Sequence, residues 1–439
     1  MQINDALSWL YSYSKYGSKL GLERITGLLN LLNNPHHKLQ AIHVTGTNGK
    51  GSVCRFLGSI LTHAGYKTGI YLSPHLERFS ERMLINGNEI SDEELIQLVQ
   101  QIKPVISKLE KKGIIPTFFE IITAMAFTHF YQKKVDFVVI EVGLGGRFDA
   151  TNVIQPLLSI ITNISLEHTQ YLGDDVTSVA YEKAGIIKSD APVVTAAGNE
   201  ALLVIEAAAK EKKVSIINVT SDSWKRIYYS LESQQFIIKG KLKDYQVQTS
   251  ILGEYQGQNL AVTIHALEQL QLMGIFISDT DIIEGISTTE NPGRMEILSY
   301  EPIVLLDGAH NAAGMKMLVT SLRNDFSFNN LIMIVGILKD KNIEEMLKSL
   351  IEISNIIIFT QSENPRASEP EHLASIASHY AFSGNIIVEP CLKKAIITAF
   401  EKVNKKDIVC ISGSLFTVGE ARTIILKRTD ILSGTLVKK

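Results

Sequence analysis

Cysteine is scarce in this chain. Its 439 residues hold three, Cys54, Cys391 and Cys410, with no CxxC pair and no histidine cluster beside them. A disulfide framework and a zinc site are therefore not expected, and a reducing compartment fits. Long apolar runs are missing too. None approaches the ~18 residues that a membrane span needs. The opening residues, Met1-Gln2-Ile3-Asn4-Asp5, lack the basic segment and apolar core of a signal peptide. Net charge is only −3, so no broad basic field argues for nucleic acid. No internal repeat or low-complexity segment is visible. The expectation is a cytoplasmic monomer acting on small molecules, with neither membrane nor nucleic acid as partner.

What is present is ordinary in amount and informative in order. Apolar residues make up 45% and charged residues 20%. At roughly 150 residues per domain, the length implies more than one domain. Short β-branched runs alternate with longer helical stretches. Strands are expected at Ala41–Thr45, Thr68–Leu72, Phe137–Val142 and Leu158–Thr162. Helices are expected at Lys50–Ala64, from a capping box at Ser91-Asp92-Glu93-Glu94 to about Lys112, and at Phe118–Gln132. Strands apolar on both faces suit a parallel sheet covered by helices. Between Trp224 and Leu252 the texture changes to alternating strands and polar turns, read as an antiparallel insertion. Helix returns over Gln256–Met273. The polar stretch around Asn291-Pro292-Gly293 is the best boundary. Beyond it the alternation restarts, with strands near Ile303–Leu306, Leu331–Val335, Asn355–Phe359, Asn385–Val388 and Asp407–Ile411. The fold class is α/β. An N-terminal domain, 1–293, carries a phosphate loop on a mostly parallel sheet. A smaller Rossmann-like α/β domain, 294–439, follows.

The chemistry starts at Gly46-Thr47-Asn48-Gly49-Lys50-Gly51-Ser52, between a strand and a helix. Such a loop lets backbone N–H groups reach phosphate oxygens beside the positive end of the helix. Lys50 would neutralise phosphate charge, and Ser52 could ligand Mg²⁺. The match to G-x-x-x-x-G-K-[ST] is incomplete. Val44 stands where glycine is wanted, and Gly51 where Ser or Thr should follow the lysine.

Ligands of open parallel sheets lie beyond the carboxyl ends of the strands. Ser73, Glu141 and His168 each occupy such a place. A strand-end carboxylate can ligand Mg²⁺, although it is equally at home in solvent, and magnesium's preference for oxygen weakens His168 as a ligand. Lys183, within Glu182-Lys183-Ala184-Gly185, reads from periodicity as a solvated helix lysine.

Together these segments resemble the folylpolyglutamate synthase and dihydrofolate synthase family, within the Mur ligase superfamily. The resemblance runs from Gly21-Leu22-Glu23-Arg24 to Ser412-Gly413-Ser414-Leu415-Phe416. Thr45–Ser52 matches the family's T-G-T-N-G-K-G-S loop, which accounts for the departure from the common pattern. Glu141–Asn152 matches E-V-G-L-G-G-R-x-D-A-T-N. Ser73-Pro74-His75-Leu76 with Glu81-Arg82 is similar to the folate-side loop. Pro292-Gly293-Arg294 and Asp307-Gly308-Ala309-His310-Asn311 match the linker and the second domain's start.

The resemblance implies roles. Lys50 and the amides of Gly46, Thr47, Asn48, Gly49, Gly51 and Ser52 would hold the ATP phosphates. Asn259, Arg294 and Asp307 would contact the nucleotide. Ser52, Ser73, Glu141, His168 and a carbamylated Lys183 would bind Mg²⁺. Arg82, Thr117, Phe119, Glu120 and Asp149 would serve the folate. His310 and Ser412 would lie near the incoming glutamate. ATP and Mg²⁺ are the implied cofactors, and a monovalent-cation requirement is left open. There are departures. Glu167 stands where the family usually has Asp before the histidine, Ala312 where it has Pro, and Gly308 where it often has Val.

The implied reaction is ATP-driven ligation of a folate or dihydropteroate carboxylate to L-glutamate through an acyl phosphate. Two other readings compete. A cell-wall Mur-type ligase would need a UDP-binding domain ahead of the phosphate loop, which here begins near residue 45. A nucleotide-dependent switch would need N-K-x-D, and Asn404-Lys405-Lys406-Asp407 fits only the letters, far from the loop.

Overall fold

The computed structural model describes residues 1–17 and 19–427. They form two compact units. The first is Met1–Ile227, Gln235–Thr249 and Gln256–Thr289, and the second is Tyr228–Gln234, Ser250–Tyr255 and the chain from Glu290 on.

The first unit is built on an eight-stranded sheet of order β4-β3-β2-β5-β1-β6-β7-β8. Its strands are β1 (Ala41–Thr45), β2 (Thr68–Tyr71), β3 (Met83–Ile85), β4 (Asn88–Glu89), β5 (Phe137–Glu141), β6 (Leu158–Ile161), β7 (Val193–Thr195) and β8 (Ile216–Asn218). All but β3 and β4 run parallel. Those two add an antiparallel edge beside β2. Every residue of β1, β5 and β6 is buried, because helices cover both faces. The helix Phe118–Gln132 is buried from Glu120 to Phe130, so it lies inside the unit rather than on it. The helices Ile3–Tyr11, Glu23–Leu31 and Asp92–Glu110 contribute to the same core. Among the described residues no helix is long and apolar enough to cross a membrane.

His43 lies in the middle of β1 with no exposed surface. Burial, helped by the Lys188 ammonium, pulls its pKa down to about 3. In the unfolded chain it titrates near 6.5. The unfolded state therefore binds more protons between these values, and stability falls as pH drops below 6.5. From pH 7 to pH 5 this one residue removes about 2 kcal/mol. Urea titrations at the two pH values measure it, and in His43→Leu that part of the pH dependence disappears.

The three-stranded sheet β9 (Trp224–Tyr229), β10 (Gln234–Lys239) and β11 (Asp244–Thr249) follows, in the order β11-β10-β9. The second unit holds a six-stranded sheet of order β12-β13-β17-β14-β15-β16. Its strands are β12 (Glu296–Tyr300), β13 (Ile303–Leu306), β14 (Leu331–Val335), β15 (Ile356–Gln361), β16 (Asn385–Cys391) and β17 (Ile408–Ser412). All neighbours are parallel except β12 on β13. The antiparallel strands β3, β4 and β12 and the parallel strands β7 and β8 were not expected from sequence. All but the five-residue β12 have three residues or fewer, and pairing with a neighbour defines them. Asp407 accepts from the backbone and side-chain amides of both Asn330 and Asn404. The N-K-x-D letters thus serve a loop clamp within this unit.

Candidate active site

The phosphate loop is shaped by two glycines. Gly46 has φ +141° and Gly49 has φ +88°, conformations that L-residues rarely adopt. A Cβ on Gly46 would lie 1.9 Å from Thr162 Oγ1, and one on Gly49 would lie 2.2 Å from Asn259 Oδ1. The segment after β6 fastens the loop. Thr47 N–H donates to Asn163 O at 2.7 Å, Asn48 N–H to Asn163 Oδ1 at 3.0 Å, and Thr162 Oγ1 to Asn48 O at 2.6 Å. The amides of Thr47 and Asn48 are therefore engaged in holding the loop. Those of Gly49–Ser52 precede the first intrahelical bond, from Val53 N–H to Gly49 O, and lie at the positive end of the helix Lys50–His63, where an anion is favoured. Asn259 Nδ2 donates to Gln256 Oε1 at 2.8 Å, so Asn259 packs against the loop backbone at Gly49. Gly49→Ala should strain the loop by about 1–3 kcal/mol. It should also raise the KM for ATP about tenfold or more, which initial rates at varied ATP would read.

Two ammonium groups meet on one carbonyl. Lys50 Nζ donates to Gly46 O at 2.8 Å and Thr47 O at 2.9 Å. Lys183 Nζ donates to the same Gly46 O at 2.8 Å and to Glu167 Oε1 at 2.6 Å. Lys183 is 1% exposed, against the expectation of a solvated helix lysine. Burial pulls its pKa down to about 8, and Lys50 adds to this while Glu167 opposes it. Burial raises the Glu167 carboxyl, but the ammoniums of Lys183 and Lys50 outweigh it and hold the pKa well below the usual range. Sequence reading treated Glu167 only as a departure beside His168, and its pairing with Lys183 required the fold. His168 follows it with φ +48°, a left-handed conformation.

The glycine motif after β5 explains how Lys183 arrives there. Gly146 has no room for a side chain, since a Cβ would lie 2.9 Å from the carbonyls of Glu182 and Lys183. Arg147 N–H donates to Glu182 O at 2.8 Å. Asn152 Nδ2 donates to Arg147 O at 2.9 Å and Gly185 O at 3.0 Å. Thr45 Oγ1 donates to Gly145 O at 2.6 Å. The motif is thus a socket for the last turn of the helix Val176–Ala184, tied to the strand that ends in the phosphate loop.

Glu141, at the end of β5, accepts from Ser73 N–H at 2.9 Å. A Cβ at Gly51 would lie 3.8 Å from its carboxylate, so Glu141 faces the first turn that contains Ser52. Ser73 Oγ is buried with no hydrogen-bond partner. The orphaned Ser73 hydroxyl and the Glu141 carboxylate, facing the turn that carries the Ser52 hydroxyl, are hard oxygen donors of the kind Mg²⁺ takes. Among the described residues no three His, Cys, Asp or Glu side chains cluster as a metal site. The oxygen donors gathered here are serine hydroxyls and one carboxylate.

The other predicted residues of this unit lie in the loop 73–82, at the start of the helix Phe118–Gln132 and in the loop after β5. Glu81 accepts from the N–H groups of Leu76, Glu77 and Arg78 at 2.7–2.8 Å and holds the loop closed. Arg82 is buried; its Nε donates to His75 Nδ1 at 2.8 Å, and its guanidinium lies over the rings of Phe79 and Phe118. Tyr11 stacks on Phe118 at 5.4 Å. Tyr11, Phe79 and Phe118 had no sequence motif to announce them. Thr117 and Glu120 form a reciprocal capping box, and Glu120 also holds Arg24 at 3.0 Å. The ring of Phe119 lies against Gly143, where a Cβ would meet it at 2.4 Å. Asp149 is buried and accepts from Leu144 N–H at 2.8 Å and from the Thr151 hydroxyl.

In the second unit, Arg294, Asp307 and His310 meet at Gly308. Arg294 Nη1 donates to Gly308 O at 3.1 Å, and His310 Nδ1 is 2.9 Å from the same oxygen. Asp307 accepts from the N–H groups of Met295 and Ala309, and burial raises its pKa. A Cβ at Gly308 would lie 2.4 Å from Leu415. Ser412 ends β17, beside β13; its hydroxyl is buried without a partner, and Gly413 N–H donates to Ala309 O at 3.2 Å.

The Mur ligase middle domain matches residues 44–267, and the Mur ligase glutamate ligase domain matches residues 293–415. A Bacillus subtilis dihydrofolate synthase/folylpolyglutamate synthase is 40% identical over 430 residues, covering 95% of this chain and 98% of its own length. A solved Mycobacterium tuberculosis folylpolyglutamate synthase, complexed with ADP and AMPPCP, is similar with a TM-score of 0.90 at 29% identity, over 96% of this chain and 99% of that one. E. coli FolC in complex with DHPP and ADP is similar with a TM-score of 0.86 at 29% identity, over 98% and 100% of the two chains. Two domain matches in series and a relative aligned nearly end to end agree with the phosphate loop and the glycine socket: the chain belongs to the folylpolyglutamate synthase and dihydrofolate synthase family of Mur ligases.

Proposed function

We propose that the chain is an ATP-dependent ligase that joins L-glutamate to the carboxylate of a folate. The observation that carries this is the meeting of Lys50 and Lys183 on Gly46 O, which unites the phosphate loop with the glycine socket. The acceptor carboxylate attacks the γ-phosphorus of ATP, the bond to the bridging oxygen breaks, and ADP leaves with the electron pair. Lys50 turns from its two loop carbonyls to the phosphate oxygens, where charge spreads in the transition state. The glutamate amine then attacks the acyl carbon, loses a proton, and phosphate departs. His310 and Ser412 are assigned to that glutamate. Arg294, Asp307 and Asn259 are assigned to the nucleotide. Arg82, Thr117, Phe119, Glu120 and Asp149 are assigned to the acceptor. The working boundary is placed between residues 293 and 294, with phosphate binding before it and glutamate binding after it.

Ser52, Ser73, Glu141, His168 and Lys183 would hold Mg²⁺, with Lys183 carrying a carbamate. The ion would neutralise phosphate charge as it develops. Carbamylation needs a neutral amine, which the lowered pKa of Lys183 supplies.

The B. subtilis relative carries both family names, so dihydropteroate is included as an acceptor. ADP release, measured with dihydropteroate and with tetrahydrofolate side by side, should require both an acceptor and glutamate. ADP release that ignores either would overturn the ligase reading.

A further inference from the structure

Three buried polar side chains lie end to end between β1 and the loop after β5. His43 Nε2 is 2.9 Å from Thr151 Oγ1, and Thr151 Oγ1 is 2.5 Å from Asp149 Oδ1. A single hydroxyl proton cannot serve both neighbours. The carboxylate can only accept, so the hydroxyl donates to Asp149 and must accept from His43. His43 therefore carries its hydrogen on Nε2, and Nδ1 is a bare lone pair. That nitrogen is buried with no hydrogen-bond partner.

An orphaned nitrogen in the core is a liability that an apolar side chain would avoid. Keeping a histidine there makes physical sense if its other nitrogen has a task. The task lies at the far end of the chain of bonds. Asp149 is buried, and burial pushes its carboxyl pKa up; the strongest opposing influence is the Thr151 hydroxyl. Without that donor the carboxylate keeps the backbone N–H groups of Thr151 and Leu144 but loses its one side-chain donor, the tightest restraint on Oδ1, and part of its charge. The ring of His43 stays neutral well below physiological pH. It is thus a constant donor rather than a switch.

We infer that His43 and Thr151 are positioning residues for acceptor binding, orienting the Asp149 carboxylate toward the N–H groups of the acceptor's heterocycle, an assignment that rests on Asp149 lying at the ring end of the acceptor as proposed above. One strand then aligns both halves of the first step. β1 ends in the phosphate loop, and two residues before that end it steers the acceptor's carboxylate partner.

Thr151→Val removes the hydroxyl and keeps the shape, whereas Thr151→Ser keeps the hydroxyl. His43→Leu removes the donor, whereas His43→Gln carries an N–H at similar reach. Thr151→Val and His43→Leu should raise the acceptor KM about tenfold, the value of one hydrogen bond to a charged group, with the ATP KM little changed. Thr151→Ser and His43→Gln should restore most of the affinity. Nitrogen-15 NMR of His43 should show a neutral ring protonated at Nε2 down to pH 5. Wild-type acceptor KM in Thr151→Val, an equal rise in the ATP and acceptor KM, or a His43 ring that titrates near 6.5 would each overturn the inference. If His43→Leu does not fold, Thr151→Val carries the kinetic test. Asp149→Ala separates the inference from the reading beneath it. An unchanged acceptor KM there removes Asp149 from the acceptor site and the inference with it. A raised KM in Asp149→Ala with none in Thr151→Val overturns the inference alone.

Discussion

Lys50→Ala should abolish acceptor- and glutamate-dependent ADP release, a fall of about 10²–10³-fold or more, while the thermal midpoint moves little. The modest structural effect follows from what Lys50 touches. Its ammonium donates to two loop carbonyls, Gly46 O and Thr47 O, and the loop has its own fastenings through Asn163 and Thr162. Alanine is also the best helix former at the position it would occupy. The catalytic effect is large because alanine supplies no cationic donor for the charge that would build on the phosphate. A second consequence runs through Lys183. The Lys50 ammonium is one of the influences holding the Lys183 pKa down. Its removal should raise that pKa and reduce the neutral amine available for carbamylation. Lys50→Arg should not rescue, since a planar fork on a longer stem does not replace a compact ammonium at a fixed distance. Near-normal turnover in Lys50→Ala would refute the phosphate-loop assignment.

Lys183→Ala should be inactive for a different reason and should be partly restored by formate or acetate. Burial brings the Lys183 pKa down to about 8, so its neutral amine is far more accessible near pH 7 than that of an ordinary lysine. On the carbamate proposal that amine would react with carbon dioxide, giving an anionic oxygen ligand and a released proton. A short carboxylate bound in the space that alanine leaves would supply the same oxygens. The fold also suffers, because Glu167 loses the partner that holds it as a buried anion. Stranding such a carboxylate costs about 3–5 kcal/mol. Lys183→Ala with Glu167→Gln removes that cost. The double variant should recover stability without recovering unaided activity, which separates folding from chemistry. Full activity in Lys183→Ala with no added carboxylate would end the carbamate proposal.

Much of the scaffold was legible in the sequence. The apolar runs at 41–45, 137–142 and 158–162 are strands because helices bury both their faces, and such strands announce themselves by composition alone. The capping boxes at Ser91 and Thr117 marked helix starts for the same local reason. Strands defined by their neighbours were not legible. β12 is a strand because it pairs with β13, and β3 and β4 because β2 offers an edge.

For the site, local sequence determined the conformations that belong to a few adjacent residues. Gly46, Gly49 and Lys50 state a phosphate loop, since glycine alone tolerates those backbone angles. The tertiary structure decided everything that depends on a partner distant along the chain. From periodicity Lys183 reads as a solvated helix lysine, a reading that only the family resemblance opposed, and it is the socket at Gly146 and Asn152 that brings it under Gly46. Glu167 reads as a small departure until it is found paired with that lysine. His43 reads as one more strand residue until Thr151 and Asp149 are seen beyond it. Burial lowers the pKa of Lys183 and of His43, and two ammoniums outweigh burial at Glu167; both influences belong to the packed chain rather than to any segment of it.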